Sequence, residues 1–266
     1  MQSEIARADH LEVEYGGRTV WSDANFRIHR GEFVAVIGPN GAGKTTLFRL
    51  LLGLIRPSRG ELEVFGTSPR RGNPKIGYVP QSHLVDKETN VEAMQLVRLA
   101  YSGNRWAPIV TPRGFRELRE ATDEALRSVG ATDLGTKSLG AMSGGELQRI
   151  FLAEALVGRP EILLLDEPLA SLDLRRAREM VDLVHHLVLS RNVTTLLVAH
   201  DINPLIPCLD KVIYVANGRV ATGLPADVLT TESLTALYGV PVEVLHDSRG
   251  NLVIVGGEDS HRDPGA

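Results

Sequence analysis

Gly38-Pro39-Asn40-Gly41-Ala42-Gly43-Lys44-Thr45-Thr46 follows an apolar run, Phe33-Val34-Ala35-Val36-Ile37, and opens a leucine-rich one, Leu47 to Ile55. Strand, glycine loop, helix is the context in which G-x-x-x-x-G-K-[ST] builds a phosphate cradle. The glycines let backbone N–H groups turn inward around an oxyanion, and the helix points its positive end at the same place. Lys44 is expected to reach the β- and γ-phosphates of a nucleotide, and Thr45 to offer its hydroxyl to Mg²⁺. With one such loop and no internal repeat, the chain carries one cradle.

Its 266 residues suffice for one large α/β domain, or for a core with an insertion. The net charge of −4 comes from interspersed signs, which argues against a nucleic-acid surface or an anionic-membrane patch. The single cysteine, Cys208, has no partner for an internal disulfide, as in a reducing compartment, and reads as a small packing residue. No segment approaches the roughly 18 apolar residues needed to span a bilayer. Met1-Gln2-Ser3-Glu4 lacks the basic and apolar regions of a signal peptide. If the protein serves a membrane process, the membrane part belongs to other chains.

Outward from the loop, residues 5–15 alternate apolar and polar up to Tyr15-Gly16-Gly17, a strand and a turn, and Ala24 to His29 gives a second strand. Glu61 to Phe65 and Lys75 to Val79 read as strands, the latter running into Pro80-Gln81. Helical spacing then takes over in Val91–Ala100 and Glu117–Val129, with an irregular connection expected over Tyr101 to Phe115. This is expected to be a helical subdomain, residues 83–158, inserted in a domain of residues 1–257. Strands resume at Ile162–Leu165 and Thr194–Ala199, with a helix from about Leu174 to Leu189 between them, the alternation of a parallel sheet with helical crossovers. A short helix after Asp201 leads to Lys211–Val215 and Arg219–Thr222, joined by Asn217-Gly218, a strong hairpin signal. A helix near Ser233–Tyr238 and a second hairpin, Val242–Leu245 with Leu252–Val255, precede a polar tail, 258–266, expected to be disordered.

Ile162-Leu163-Leu164-Leu165-Asp166-Glu167 reads as a buried parallel strand ending in two carboxylates at the crevice edge of the sheet. Asp166 is placed to hold Mg²⁺ through its water shell, and Glu167 to accept the proton of a water attacking the γ-phosphate. Alone, Asp-Glu-Pro is equally the start of a helix; the upstream loop favours metal and base. His200 ends the next strand, where an imidazole can stabilise charge or position water, although a lone strand-end histidine is usually structural. Ser143-Gly144-Gly145-Glu146 is a capping box for a helix over Leu147–Val157, complete as a local explanation. Two glycines after the cap exceed what capping needs, since each costs a helix about 1 kcal/mol. They suit a helix end that an anion must approach closely.

Tyr15, the loop 38–46, Gln81, Met142-Ser143-Gly144-Gly145-Glu146, Asp166-Glu167, Ser171-Leu172-Asp173 and His200 fall in the order of an ABC-transporter ATPase subunit. They resemble the A-loop, Walker A, Q-loop, signature, Walker B, D-loop and H-loop, over about residues 5–230. The resemblance implies an α/β fold: a P-loop NTPase core with a mixed or parallel sheet, an N-terminal antiparallel β-subdomain and an inserted helical subdomain. It implies ATP and Mg²⁺, with Tyr15 stacked on adenine and Gln81 touching Mg²⁺ and the attacking water. It further implies a second copy, most simply a homodimer, whose Ser143 and Gly145 reach the γ-phosphate in trans. The usual Leu-Ser-Gly-Gly-Gln appears here as Met142 to Glu146, and Glu146 sets a negative charge near the anion site.

Within that family the chain is most similar to ATPases of zinc, manganese or iron importers, through Ala199-His200-Asp201-Ile202-Asn203-Pro204-Leu205, Gly140-Ala141-Met142 and a compact tail. Such a subunit is implied to lie on the cytoplasmic face of the membrane, against transmembrane permease subunits. A periplasmic or lipoprotein solute-binding protein would act indirectly, and no nucleic acid is involved. The alternatives are another ABC transporter, such as a siderophore importer or an exporter, and a soluble non-transport ABC ATPase. The last class tends to carry coiled-coil insertions or paired cassettes, which this sequence lacks.

Overall fold

The structure is a computed structural model that describes residues 3–15, 17–81, 85–103, 111–170, 172–199, 201–238, 241–246 and 252–256. In chain order its strands are β1 Glu4–Tyr15, β2 Arg18–His29, β3 Phe33–Ile37, β4 Arg59–Val64, β5 Ile76–Val79, β6 Ile162–Asp166, β7 Thr194–Val198, β8 Lys211–Ala216, β9 Arg219–Gly223, β10 Val242–His246 and β11 Leu252–Gly256. The helices are α1 Lys44–Leu51, α2 Ala93–Gly103, α3 Pro112–Ser128, α4 Gly144–Leu156, α5 Leu174–Arg191, α6 Pro225–Val228 and α7 Thr231–Tyr238.

The central six-stranded sheet has the order β5-β6-β7-β3-β8-β9. It is parallel from β5 to β8 and closes with the antiparallel β8–β9 hairpin. β3, β6 and β7 are buried at every position, which is why they are Val/Ile/Leu-rich and show no apolar–polar alternation. Successive side chains go to opposite faces. Phe33, Ala35 and Ile37 enter one core with α2 to α5, whereas Val34 and Val36 enter another with α1, Trp21, Phe26 and Phe48. The second core lies under a separate antiparallel sheet, β2-β1-β4. No helix among the described residues is long and apolar enough to cross a membrane.

Several element bounds differ from those expected. β2 begins at Arg18 rather than Ala24, because its first half pairs with the end of β1, Val13 opposite Trp21 and Tyr15 opposite Arg18. The stretch expected to be irregular up to Phe115 is helical from Pro112: Thr111 caps α3 by accepting the Gly114 N–H at 3.1 Å, and Pro112 takes the first turn, where no N–H is needed. α2 runs on to Gly103; residues 104–110 and the polar tail lie outside the described residues. The Asn217-Gly218 turn has positive φ at both positions (49° and 73°), as a two-residue type I′ hairpin requires. Cys208 is half-buried against the larger core, and burial pushes its thiol above the usual value.

Candidate functional site

The loop between β3 and α1 is fixed from below by close packing. A Cβ on Gly38 would strike the Val215 backbone carbonyl of β8, and one on Gly43 would run into Trp21 Nε1 and lie 2.5 Å from Val20 Cγ1. Gly43 also stands at φ 106°, a conformation that suits glycine. It is the N-cap of α1, has no side chain to cap it, and no acidic residue occupies the first helical turn. The N–H groups at that helix end are therefore free to serve an anion approaching the exposed crest, Asn40 and Gly41. Pro39 and Ala42 form the turn, Ala42 N–H donating to Pro39 O at 3.2 Å, and Thr45 and Thr46 continue into the helix.

Lys44 is 6% exposed and donates from Nζ to the Gly38 carbonyl (2.7 Å) and the Pro39 carbonyl (3.0 Å). Burial pushes its ammonium below the ordinary value, against the opposing pull of Glu167 and Asp166. The cation is thus stored across the mouth of the loop on neutral acceptors, which a phosphate oxygen would replace with charge.

Asp166 ends β6, one strand removed from β3, and is 2% exposed. Its Oδ2 accepts the Thr45 hydroxyl at 3.3 Å, with the Tyr78 hydroxyl at 3.5 Å. Its Oδ1 is buried with no hydrogen-bond partner among the described residues. Burial, then the Glu167 charge, raises the Asp166 carboxyl above its usual range, while Thr45, Tyr78 and Lys44 oppose the rise. Tyr78 is pushed up to about 12 by burial and by Asp166, so it stays a neutral donor. An unpartnered buried carboxylate oxygen, a threonine hydroxyl and a nearby glutamine amide are a hard-oxygen donor set, and they fit a Mg²⁺ ion.

Glu167 lies beyond the strand with φ 55°, a left-handed backbone conformation that ends the extended run. The kink is held by the Glu167 N–H on Val198 O at 3.1 Å and by Ala170 N–H on Glu167 O at 3.1 Å. Gln81, just past β5, donates from Nε2 to Glu167 Oε2 at 2.6 Å. Strand order makes this possible, because β5 and β6 are parallel neighbours whose ends lie together. Tyr78, on β5 itself, is a site residue that the motifs did not point to; its only sequence signal is its place three residues before Gln81.

Ser143 caps α4 and the capping box is complete: the Glu146 N–H reaches Ser143 Oγ at 3.4 Å, and Glu146 Oε2 accepts the Ser143 N–H at 2.7 Å. A Cβ on Gly144 would meet nothing within 4 Å, and one on Gly145 only Arg176 Cδ at 3.9 Å. Packing among the described residues therefore does not explain either glycine. Among the described residues, no hydrogen bond joins Ser143 to Glu146 with the loop 38–46 or with Asp166. The structure gathers Lys44, Thr45, Asp166, Glu167 and Gln81 into one site and leaves Ser143, Gly144, Gly145 and Glu146 outside it. Glu146 is paired with Lys137, a residue the motifs missed; the signal was an acid standing near an anion site, which calls for a counter-charge. Tyr15 ends β1 opposite Arg18, its side chain outside the described residues, as are His200 and Ser171 altogether.

The profile of the ABC transporter family matches residues 21–170. A zinc import ATP-binding protein, ZnuC, of Pseudomonas aeruginosa is 34% identical, over 96% of this chain and 91% of its own. An aliphatic sulfonates import ATP-binding protein, SsuB, of Pectobacterium atrosepticum is 38% identical, over 83% of this chain and 77% of its own. Among solved structures, a chain of an inward-facing ABC transporter assigned to the metal-chelate type superposes with a TM-score of 0.81 at 27% identity, covering 96% of this chain and 98% of that one. Sequence likeness over nearly the whole length and structural likeness agree with the phosphate cradle: the chain belongs to the ABC transporter family, as an ATP-binding, ATP-hydrolysing subunit.

Proposed function

We propose that this subunit powers import of a transition-metal cation, zinc, manganese or iron, through separate transmembrane permease subunits. The observation that carries the cargo reading is the 34% identity over 96% of the chain to a zinc import subunit. The sulfonate-import relative is more identical, at 38%, but over 83% of the chain, so the cargo reading follows the likeness that runs over nearly the whole length. By this reading the subunit lies on the cytoplasmic face of the membrane, and a solute-binding protein delivers the ion on the far side.

In the proposed mechanism Tyr15 stacks on adenine, the loop 38–46 wraps the phosphates, and Lys44 leaves its carbonyl partners for the β- and γ-phosphate oxygens. Thr45, Asp166 and Gln81 would hold Mg²⁺, which draws charge from those oxygens. Glu167 takes the proton of the water that attacks the γ-phosphorus as the bond to the β-phosphate oxygen breaks, leaving ADP and inorganic phosphate. Gln81, 2.6 Å from Glu167, aims the carboxylate, and His200 steadies the departing phosphate. Ser143 and Gly145 of a second copy close over the γ-phosphate, which accounts for two glycines that no packing contact among the described residues requires. Hydrolysis removes the bridging group, the copies part, and the permease subunits follow that motion.

Deleting the gene and measuring cellular manganese, zinc and iron tests the cargo: one metal should fall and return with the parent gene but not with Lys44→Ala. Unchanged levels of all three metals would contradict it. Nucleotide binding by Lys44→Ala at the parent affinity would contradict the cradle.

A further inference from the structure

Glu146 occupies the third position of α4 and shares the cap that carries Ser143. Besides the Ser143 N–H, its two oxygens take Lys137 Nζ at 2.8 and 2.9 Å. The residues are nine apart, with a one-turn helix, Leu139–Ala141, between them, so no regular helical spacing brings them together. The segment bearing Lys137 is tied instead to the strap of chain entering α2: Ala93 N–H donates to Lys137 O (3.1 Å), Ser138 Oγ to Thr89 O (2.6 Å) and Leu139 N–H to Val91 O (2.9 Å). The pairing is strong enough to hold the Glu146 carboxyl down at about 2, through Lys137 first and the Ser143 N–H next. Arg176, whose Cδ would lie 3.9 Å from a Cβ on Gly145, is engaged with Asp173 at 3.4 Å.

A helix N-terminus carries roughly half a positive charge, so one unpaired carboxylate in its first turn reverses the sign that an incoming phosphate meets. We propose that Lys137 is a positioning residue of the composite nucleotide site: its ammonium cancels Glu146 and keeps that carboxylate folded onto the Ser143 N–H, so that the end of α4 accepts the γ-phosphate of ATP held by a second copy. The inference rests on the two-copy reading proposed above.

The test is sedimentation velocity with ATP in a Glu167→Gln background, where slow hydrolysis preserves the closed dimer. Lys137→Met should weaken ATP-dependent dimerisation roughly tenfold or more, the order expected of one unbalanced charge close to the phosphate. Lys137→Arg should stay near the parent, and Lys137→Met with Glu146→Gln should recover to within about threefold of it, because the charge to be balanced is gone. Nucleotide binding by the Lys137→Met monomer at low protein concentration should be unchanged, since the cation serves the other copy's ATP. The proposal is overturned if Lys137→Met dimerises like the parent, or if the double variant is no better than Lys137→Met, which would make Lys137 a purely structural prop. It is equally overturned if Glu146→Gln alone weakens closure as much as Lys137→Met does. A Glu167→Gln parent that remains monomeric with ATP would remove the two-copy reading, and this proposal with it.

Discussion

Replacing Gly43 and Gly41 by alanine, one at a time, separates backbone strain from packing in the phosphate loop. Both residues have positive φ, 106° and 77°. A Cβ at position 41 meets nothing within 4 Å, whereas one at 43 would run into Trp21 Nε1, with Val20 Cγ1 at 2.5 Å and Trp21 Cδ1 at 2.9 Å. Trp21 is fully buried beneath the loop and has nowhere to retreat. Gly41→Ala should therefore cost only the left-handed conformation, about 1–2 kcal/mol. Gly43→Ala adds overpacking of about 1–3 kcal/mol to a similar strain, giving about 2–5 kcal/mol in all. At about 2 °C per kcal/mol for a chain of this size, the melting temperature should fall by about 2–4 °C for Gly41→Ala and by about 4–10 °C for Gly43→Ala. The shifted loop of Gly43→Ala should also bind a fluorescent ATP analogue at least about tenfold more weakly, because the N–H groups at the start of α1 no longer converge. Thermal melts and an anisotropy titration read both effects. If the two variants melt together, Trp21 is not what fixes the loop and the packing argument is wrong.

Two further outcomes follow from side chains away from the loop. Asn203 acts as an added strand residue, its Nδ2 donating to Ile254 O at 3.0 Å and its Oδ1 accepting the Ile254 N–H at 2.8 Å. Asn203→Ala should speed amide exchange at Ile254 by about tenfold, one hydrogen bond's worth, while the global melting temperature hardly moves; unchanged exchange would show that the hairpin does not depend on it. Glu146, held at about 2 against an ordinary 4.5, contributes stability that is present above pH 4.5 and lost as the pH falls toward about 2. The difference in melting temperature between parent and Glu146→Gln should therefore shrink over that window, and a constant difference would mean the Lys137 pair adds nothing.

Features coded by adjacent residues were legible in the sequence. The loop between β3 and α1, the Asn217-Gly218 hairpin and the Ser143–Glu146 capping box each need only local chemistry, and each lies in the structure at the residues expected. α3 had a local signal too, since Thr111-Pro112 is a cap followed by a first-turn proline. What required the fold was long-range. The first half of β2 is a strand because β1 lies beside it, and Gln81 finds Glu167 only because β5 and β6 are neighbours in a sheet assembled from distant segments. The left-handed turn at Glu167 has no signature in a residue type that rarely adopts it. Lys137 meets Glu146 through a segment fixed by Thr89, Val91 and Ala93, partners roughly fifty residues away in sequence.

The central claim is that the chain holds half of a working site, its cradle completed by Ser143 of another copy only when ATP is bound. Sedimentation of Glu167→Gln with and without ATP tests it most directly, with Ser143→Arg in the same background as the control. The account predicts a monomer without nucleotide, a dimer with ATP, and a Ser143→Arg form that binds ATP yet stays monomeric. A sedimentation coefficient that ATP does not change, or a Ser143→Arg form that dimerises as readily, would contradict it.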